Sequence, residues 1–134
     1  MARLLSLSLV LVALGARVAR AGDDTWVLND SNAKATHDCG KQPVVVVNAS
    51  TVDLTLTGKC TKVSVNGGHV KLGAESIDAL TVNGAENMVV VDALGKVSLT
   101  GAGNRVTWKT AIGGKKPKIS DLGTDDQVTQ VSLP

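Results

Sequence analysis

The chain has 134 residues, 14 basic and 12 acidic, for a formal net charge of +2, and only 1% of it is aromatic: Trp26 and Trp108, with no Phe and no Tyr. This near-neutral balance argues against nucleic acid or an anionic membrane as the main partner. A core of Val, Leu and Ile without aromatic filler excludes the usual irregular globular interior and suits thin, regular layers.

At the N-terminus Arg3 precedes an apolar run over residues 4–14, and Ala19-Arg20-Ala21 is a small-x-small cleavage site. That is the layout of a secretory signal peptide over residues 1–21, too short to span a bilayer. No other stretch is long and apolar enough to be a membrane span. Cleavage removes Arg3, Arg17 and Arg20, leaving 11 basic against 12 acidic residues, a net charge of −1. The remainder, residues 22–134, suits one domain. Export also makes a disulfide the expected state of the two cysteines, Cys39 and Cys60.

The next elements repeat. Val63-Ser64-Val65-Asn66-Gly67, Leu80-Thr81-Val82-Asn83-Gly84 and Val97-Ser98-Leu99-Thr100-Gly101 start 17 residues apart. Repeats of about this period mark solenoids. Aligning on the Asn-Gly position extends the three copies to six, starting at Trp26, Val45, Val63, Leu80, Val97 and Ile119. The first and last copies are degenerate, as terminal repeats are, because one of their faces has no neighbour.

A second alternating strand follows each first one: Val52-Asp53-Leu54, Val70-Lys71-Leu72, Val89-Val90-Val91, Val106-Thr107-Trp108 and Val128-Thr129-Gln130-Val131. Alternation indicates strands with one buried face. The turns between them carry Gly and Asn, which tolerate left-handed backbone. Gly67-Gly68-His69-Val70 reads as a turn two residues short that lacks the Asn. A third inward position recurs three residues before each first strand, at Cys60, Ile77 and Leu94. Helix propensity is poor throughout.

A meander of hairpins could use the same turns. Coil stacking explains more, because equivalent residues then lie ~4.8 Å apart and like stacks on like. The expected fold is all-β: a short right-handed parallel β-solenoid of five to six coils, ~25–30 Å long, with one disulfide. Val63/Leu80/Val97/Ile119 and Val65/Val82/Leu99 are interior columns. Ser64/Thr81/Ser98/Ser120 and Asn66/Asn83/Thr100 are exterior or corner ladders, whose amides can hydrogen-bond along the axis.

The Val-Ser-Val-Asn-Gly phrase and the stretch from Val97 through Asn104 to Trp108 resemble a known family, the exported bacterial domain of unknown function 3060. Its members carry repeated V-x-V-x-G-x-x-N-x-V-x-Φ units and often an early Cys pair. The resemblance runs from Trp26 to Val131. It implies a bacterial envelope or secreted location, periplasmic or extracellular, and no activity.

Candidate chemistry is sparse. Cys39 and Cys60 lie 21 residues apart, about one coil plus the insertion at 41–43, and read as a structural disulfide across neighbouring coils. Closing that loop is worth ~3 kcal/mol in the chain-entropy model. The histidines, His37 and His69, read as surface side chains with no further ligands at metal-binding spacing. There is no nucleophile elbow. The carboxylates do not pair: Asp53, Lys71, Val90, Thr107 and Thr129 form one mixed outward column, and Asp125-Asp126 sits in an exposed turn. Convergence of Asp53, Asp92 and His69 or Lys71 in one pocket would point instead to a carbohydrate-active enzyme.

The most regular exposed feature is the ladder of Ser64, Asn66, Thr81, Asn83, Ser98 and Thr100, which could bind an ordered surface such as ice or a glycan. The one basic cluster, Gly113-Gly114-Lys115-Lys116-Pro117-Lys118, is a protruding loop that could dock on acidic envelope polymers. Asn29 and Asn48 stand in glycosylation acceptor patterns, relevant only in a eukaryote. The expectation is a non-enzymatic structural or binding protein with no catalytic residues, metal or cofactor. The sequence names no partner; an envelope polysaccharide or another protein are the options it leaves open.

Overall fold

The computed structural model of the chain describes residues 24–131, so the signal-peptide segment lies outside the described residues. Among these the chain forms nine strands and no helix: β1 (Thr25–Leu28), β2 (Lys34–Asp38), β3 (Val44–Val47), β4 (Asp53–Asn66), β5 (Lys71–Ala85), β6 (Met88–Ala102), β7 (Arg105–Ala111), β8 (Lys118–Asp121) and β9 (Gln127–Gln130). Every pairing between them is parallel, which rules out the hairpin meander and makes a β-solenoid of about five turns.

The first face stacks six ranks in the register Trp26, Val45, Val63, Leu80, Val97, Ile119, the six coil starts expected from the repeat. The second face stacks β2, β9, β7 and the leading halves of β4, β5 and β6. A short third side is built from Cys60, Ile77, Leu94 and Ala111, in one inward column. Val, Leu and Ile side chains of all three sides meet in one continuous core. Each coil alone has too little apolar surface to hold its shape, so the stack stabilises itself rank upon rank.

Unequal coil lengths are absorbed at corners. The second coil carries its extra residue at Thr57 and Gly58, where the register shifts and the Gly58 N–H donates to Glu75 Oε1 at 3.0 Å. The first coil's extra length lies beside the Cys39–Cys60 disulfide, whose Cα atoms are 5.0 Å apart. There the Gly40 N–H donates to Asp38 Oδ1 at 2.8 Å. The long fifth coil expels residues 112–116 to the surface and turns back at buried Pro117.

Two sequence readings of the second face need correction. The register pairs Leu54 with Leu72, Val89, Val106 and Val128. Asp53 and Lys71 therefore share a column with Met88, Arg105 and Gln127, and not with Val90, Thr107 and Thr129, which stack with Thr55 and Gly73. A slip of two residues keeps every side chain on its own face, so alternation alone cannot detect it. Likewise the turn from Gly67 to Val70 is not short: Gly67 stacks beneath Gly84, and Val70 occupies the position of Asn87.

The same register puts one left-handed residue at this corner in every coil: Asn32, Thr51, His69, Glu86, Gly103 and Asp125, with φ between 57 and 68°. Only one of the six is glycine. Thr51 is the worst suited, since a β-branched side chain at positive φ crowds its own carbonyl. Thr51→Gly is therefore expected to stabilise the fold by about 1 kcal/mol, read as a higher urea midpoint with an unchanged m-value. An unchanged or lower midpoint would remove the strain argument.

Candidate functional site

The first face presents three outward columns. The central one runs Val27, Val46, Ser64, Thr81, Ser98 and Ser120; the hydroxyls of Ser64, Thr81 and Ser98 are half-buried between their neighbours. On the turn side stand Asn48, Asn66, Asn83 and Thr100, all exposed. The amides form a continuous chain of hydrogen bonds. Asn83 Nδ2 donates to Asn66 Oδ1 at 3.0 Å, Asn66 Nδ2 to Asn48 Oδ1 at 3.0 Å, and Asn48 Nδ2 to Asn29 Oδ1 at 3.4 Å. The ladder thus extends two coils further toward the N-terminus than the repeat suggested, through the two asparagines of the glycosylation-like patterns. Their polar heads are ordered along the axis, which reduces the rotamer freedom that a ligand would otherwise have to remove.

The third outward column was not singled out from sequence. It runs Val44, Lys62, Ala79, Lys96 and Lys118. The small side chain of Ala79 leaves a depression lined by Thr81, Lys96, Ser98, Lys118, Ser120 and the exposed edge of Ile119. A neighbouring groove is lined by Asp78, Gly95, Lys96, Ile112, Lys116 and Lys118, so the protruding basic loop borders this face.

A second, internal asparagine ladder is the feature that sequence reading missed. Asn104 Oδ1 accepts from the Asn87 N–H at 3.1 Å and from Asn87 Nδ2 at 3.0 Å, while Asn87 Oδ1 accepts from the Val70 N–H at 2.9 Å. Asn87 Nδ2 also donates to the Gly67 carbonyl, and Asn104 Nδ2 to the Gly84 carbonyl, each at 3.0 Å. Both residues are 1% exposed. The Gly-x-x-Asn spacing at Gly84–Asn87 and Gly101–Asn104 was its available signal.

Asp126 continues this column: its Oδ1 accepts from the Asn104 N–H at 2.8 Å. Asp125-Asp126 is therefore only half an exposed turn, since Asp126 is a rung of the buried ladder. Its Oδ2 has no hydrogen-bond partner among the described residues. Where Asn104 and Asn87 place a donor against the carbonyl one coil back, Asp126 places an acceptor. Asp126→Asn should supply the missing donor to the Gly101 carbonyl and stabilise the last coil by about 1 kcal/mol. Slower amide exchange of the backbone around residues 123–128 is the readout, and faster exchange there would count against it.

The remaining candidates separate. His37 is not a surface side chain: it is 8% exposed, stacks on Trp26 at 4.4 Å between ring centroids, and its Nε2 lies 3.0 Å from the Gln42 carbonyl. The two rings lie at the first coil, which has no earlier rank among the described residues. His69 is exposed at its corner, with Nδ1 3.3 Å from Glu86 Oε1. Asp53, His69 and Lys71 do line one open groove, together with Lys34, Asn32 and Thr51. Asp92 is not in it and pairs with Lys109 Nζ at 3.3 Å. Among the described residues no group of three or more His, Cys, Asp or Glu side chains is placed to hold a metal, and no helix is long and apolar enough to cross a membrane.

Compared with known proteins, residues 47–89 and 76–125 match the model of a family described as protein of unknown function (DUF3060). No curated protein and no solved structure matches the chain.

Proposed function

The chain belongs to the DUF3060 family of proteins of unknown function, and on that premise we propose that it is an exported, non-enzymatic binding protein of the bacterial cell envelope. In this reading the first face is the binding face. The observation that supports it is the ordered array of outward side chains: hydroxyls of Ser64, Thr81 and Ser98 beside the hydrogen-bonded amides of Asn48, Asn66 and Asn83. Rank repeats ~4.8 Å apart on a stiff parallel sheet suit an extended, hydroxyl-rich polymer better than a compact small molecule. Preorganised polar groups lose little entropy on binding.

The purified chain should be retained by envelope polysaccharide fractions without generating new chain ends. Thr81→Val with Ser98→Val should abolish retention while leaving the fold intact by circular dichroism; retention that survives both changes would sink the binding face. Protein recovered outside the cytoplasm should begin after Ala21, and cytoplasmic protein with an intact N-terminus would overturn export.

One observation favours a second reading, a carbohydrate-active enzyme: Asp53, His69 and Lys71 share a groove. It predicts glycan cleavage that is lost in Asp53→Asn. Retention without cleavage supports the binding protein.

A further inference from the structure

The lysine column beside the hydroxyl ladder narrows the ligand, and we infer that the first face takes a carboxylated polysaccharide, a chain of uronic acid sugars lying along the solenoid axis. The inference rests on the binding face proposed above and names what that face binds.

Lys62, Lys96 and Lys118 occupy one outward column, in the third, fifth and sixth ranks. All three are exposed. The loop adds Lys116, so four of the 11 cationic side chains of the described residues lie along this edge. None of the four pairs with a carboxylate of the described residues; Lys109 is the lysine that does. Asp78 is the one acidic side chain in the groove that Lys96, Lys116 and Lys118 border. In a chain of nearly balanced charge, this is an asymmetric concentration of cations without internal partners. It creates a positive strip that attracts and orients a polyanion.

Charge alone would suit any polyanion. The adjoining columns restrict the chemistry. A polymer in the depression over Ala79 meets Lys96 and Lys118 on one flank and Thr81, Ser98 and Ser120 on the other. It must therefore offer carboxylate or phosphate to one side and hydroxyls to the other, repeatedly. A uronic acid sugar carries both on every residue. Lys62 and Lys96 are two ranks apart, ~10 Å at the strand spacing. That matches an extended glycan whose like substituents face one side at every second sugar.

The test is calorimetric titration of the full chain with polygalacturonate, with polyphosphate and a neutral β-glucan as the other arms. Polygalacturonate is expected to bind, with affinity falling steeply between about 0.05 and 0.5 M NaCl as the Debye length shortens. The triple variant Lys62→Gln, Lys96→Gln, Lys118→Gln should bind about tenfold or more weakly. The triple variant Lys41→Gln, Lys59→Gln, Arg105→Gln removes the same charge elsewhere and should stay within about twofold of wild type. Equal weakening by both sets would show unspecific attraction and overturn the site. Tighter binding of polyphosphate than of polygalacturonate would overturn the uronate assignment. Binding of the neutral glucan alone, sensitive to Thr81→Val and Ser98→Val, would overturn this inference while leaving the proposed binding face standing.

Discussion

Gly101→Ala is expected to destabilise the solenoid by on the order of 3 kcal/mol or more. Gly67, Gly84, Gly101 and Gly123 stack at one corner, and a Cβ on any of them would collide with a backbone carbonyl oxygen one coil back: that of Ala49, Gly67, Gly84 and Gly101 respectively. Backbone cannot yield as a side chain end can. At Gly101 the φ of 123° adds a second penalty, because residues with a Cβ avoid that region. The corner is where coils approach most closely, and the approach is needed for the Thr124 N–H to reach the Gly101 carbonyl at 2.8 Å. Gly73→Ala supplies the contrast. Nothing lies within 4 Å of its would-be Cβ, and its backbone is ordinary strand. There the added methyl should raise stability by about 0.5 kcal/mol through the unfolded chain. Urea denaturation of the two variants side by side decides the matter; equal midpoints would mean that the glycine column is not a steric requirement.

The second large effect belongs to Asn104. Asn104→Ala removes the acceptor for both the backbone and side-chain N–H of Asn87 and the donor to the Gly84 carbonyl. Since these groups are buried, water does not replace what is lost, and the cost is about 3 kcal/mol. Asn66→Ala breaks two amide bonds of the outer ladder, but those are exposed, so solvent takes over and the cost is about 0.5 kcal/mol. The two asparagines differ in burial and in partners: Asn104 bonds backbone groups and the Asn87 side chain from a buried position, while Asn66 bonds only the exposed side chains of Asn48 and Asn83. A cost for Asn66→Ala equal to that for Asn104→Ala would contradict this account. The inner ladder holds the coil together, while the outer one lies exposed on the first face.

Much of the first face was legible beforehand. The Val-Ser-Val-Asn-Gly phrase combines alternation with a glycine that only one corner tolerates, so phase along the strand and rank along the axis were marked together. The six coil starts at Trp26, Val45, Val63, Leu80, Val97 and Ile119 followed, as did the Cys39–Cys60 pairing and the outward Asn66–Asn83 contact. The second face lacked such a marker. Val52, Val70, Val89 and Val106 look equivalent by alternation, yet Val52 and Val70 share their column with Asn87, Asn104 and Asp126. Polar residues at a buried position looked like turn residues because their partners, backbone groups one coil away, are invisible in a local reading. His37 was misread because its burial comes from stacking on Trp26, which lies across the first coil and not beside it in sequence.

By itself, then, the amino-acid sequence determined which side of each strand faces inward, how many coils there are and where two cysteines bring coils together. A period of two and a repeat near 17 residues are local properties, carried by side-chain order and by glycine at the corner. Tertiary structure alone decided which residues of the second face lie over one another, which asparagines are buried, and which lysines stand in line on the first face. Rank along the axis is set by hydrogen bonds between coils, and these join groups 17 to 22 residues apart. Only when the coils are stacked do Lys62, Lys96 and Lys118, scattered through 57 residues of chain, become one edge of a single face.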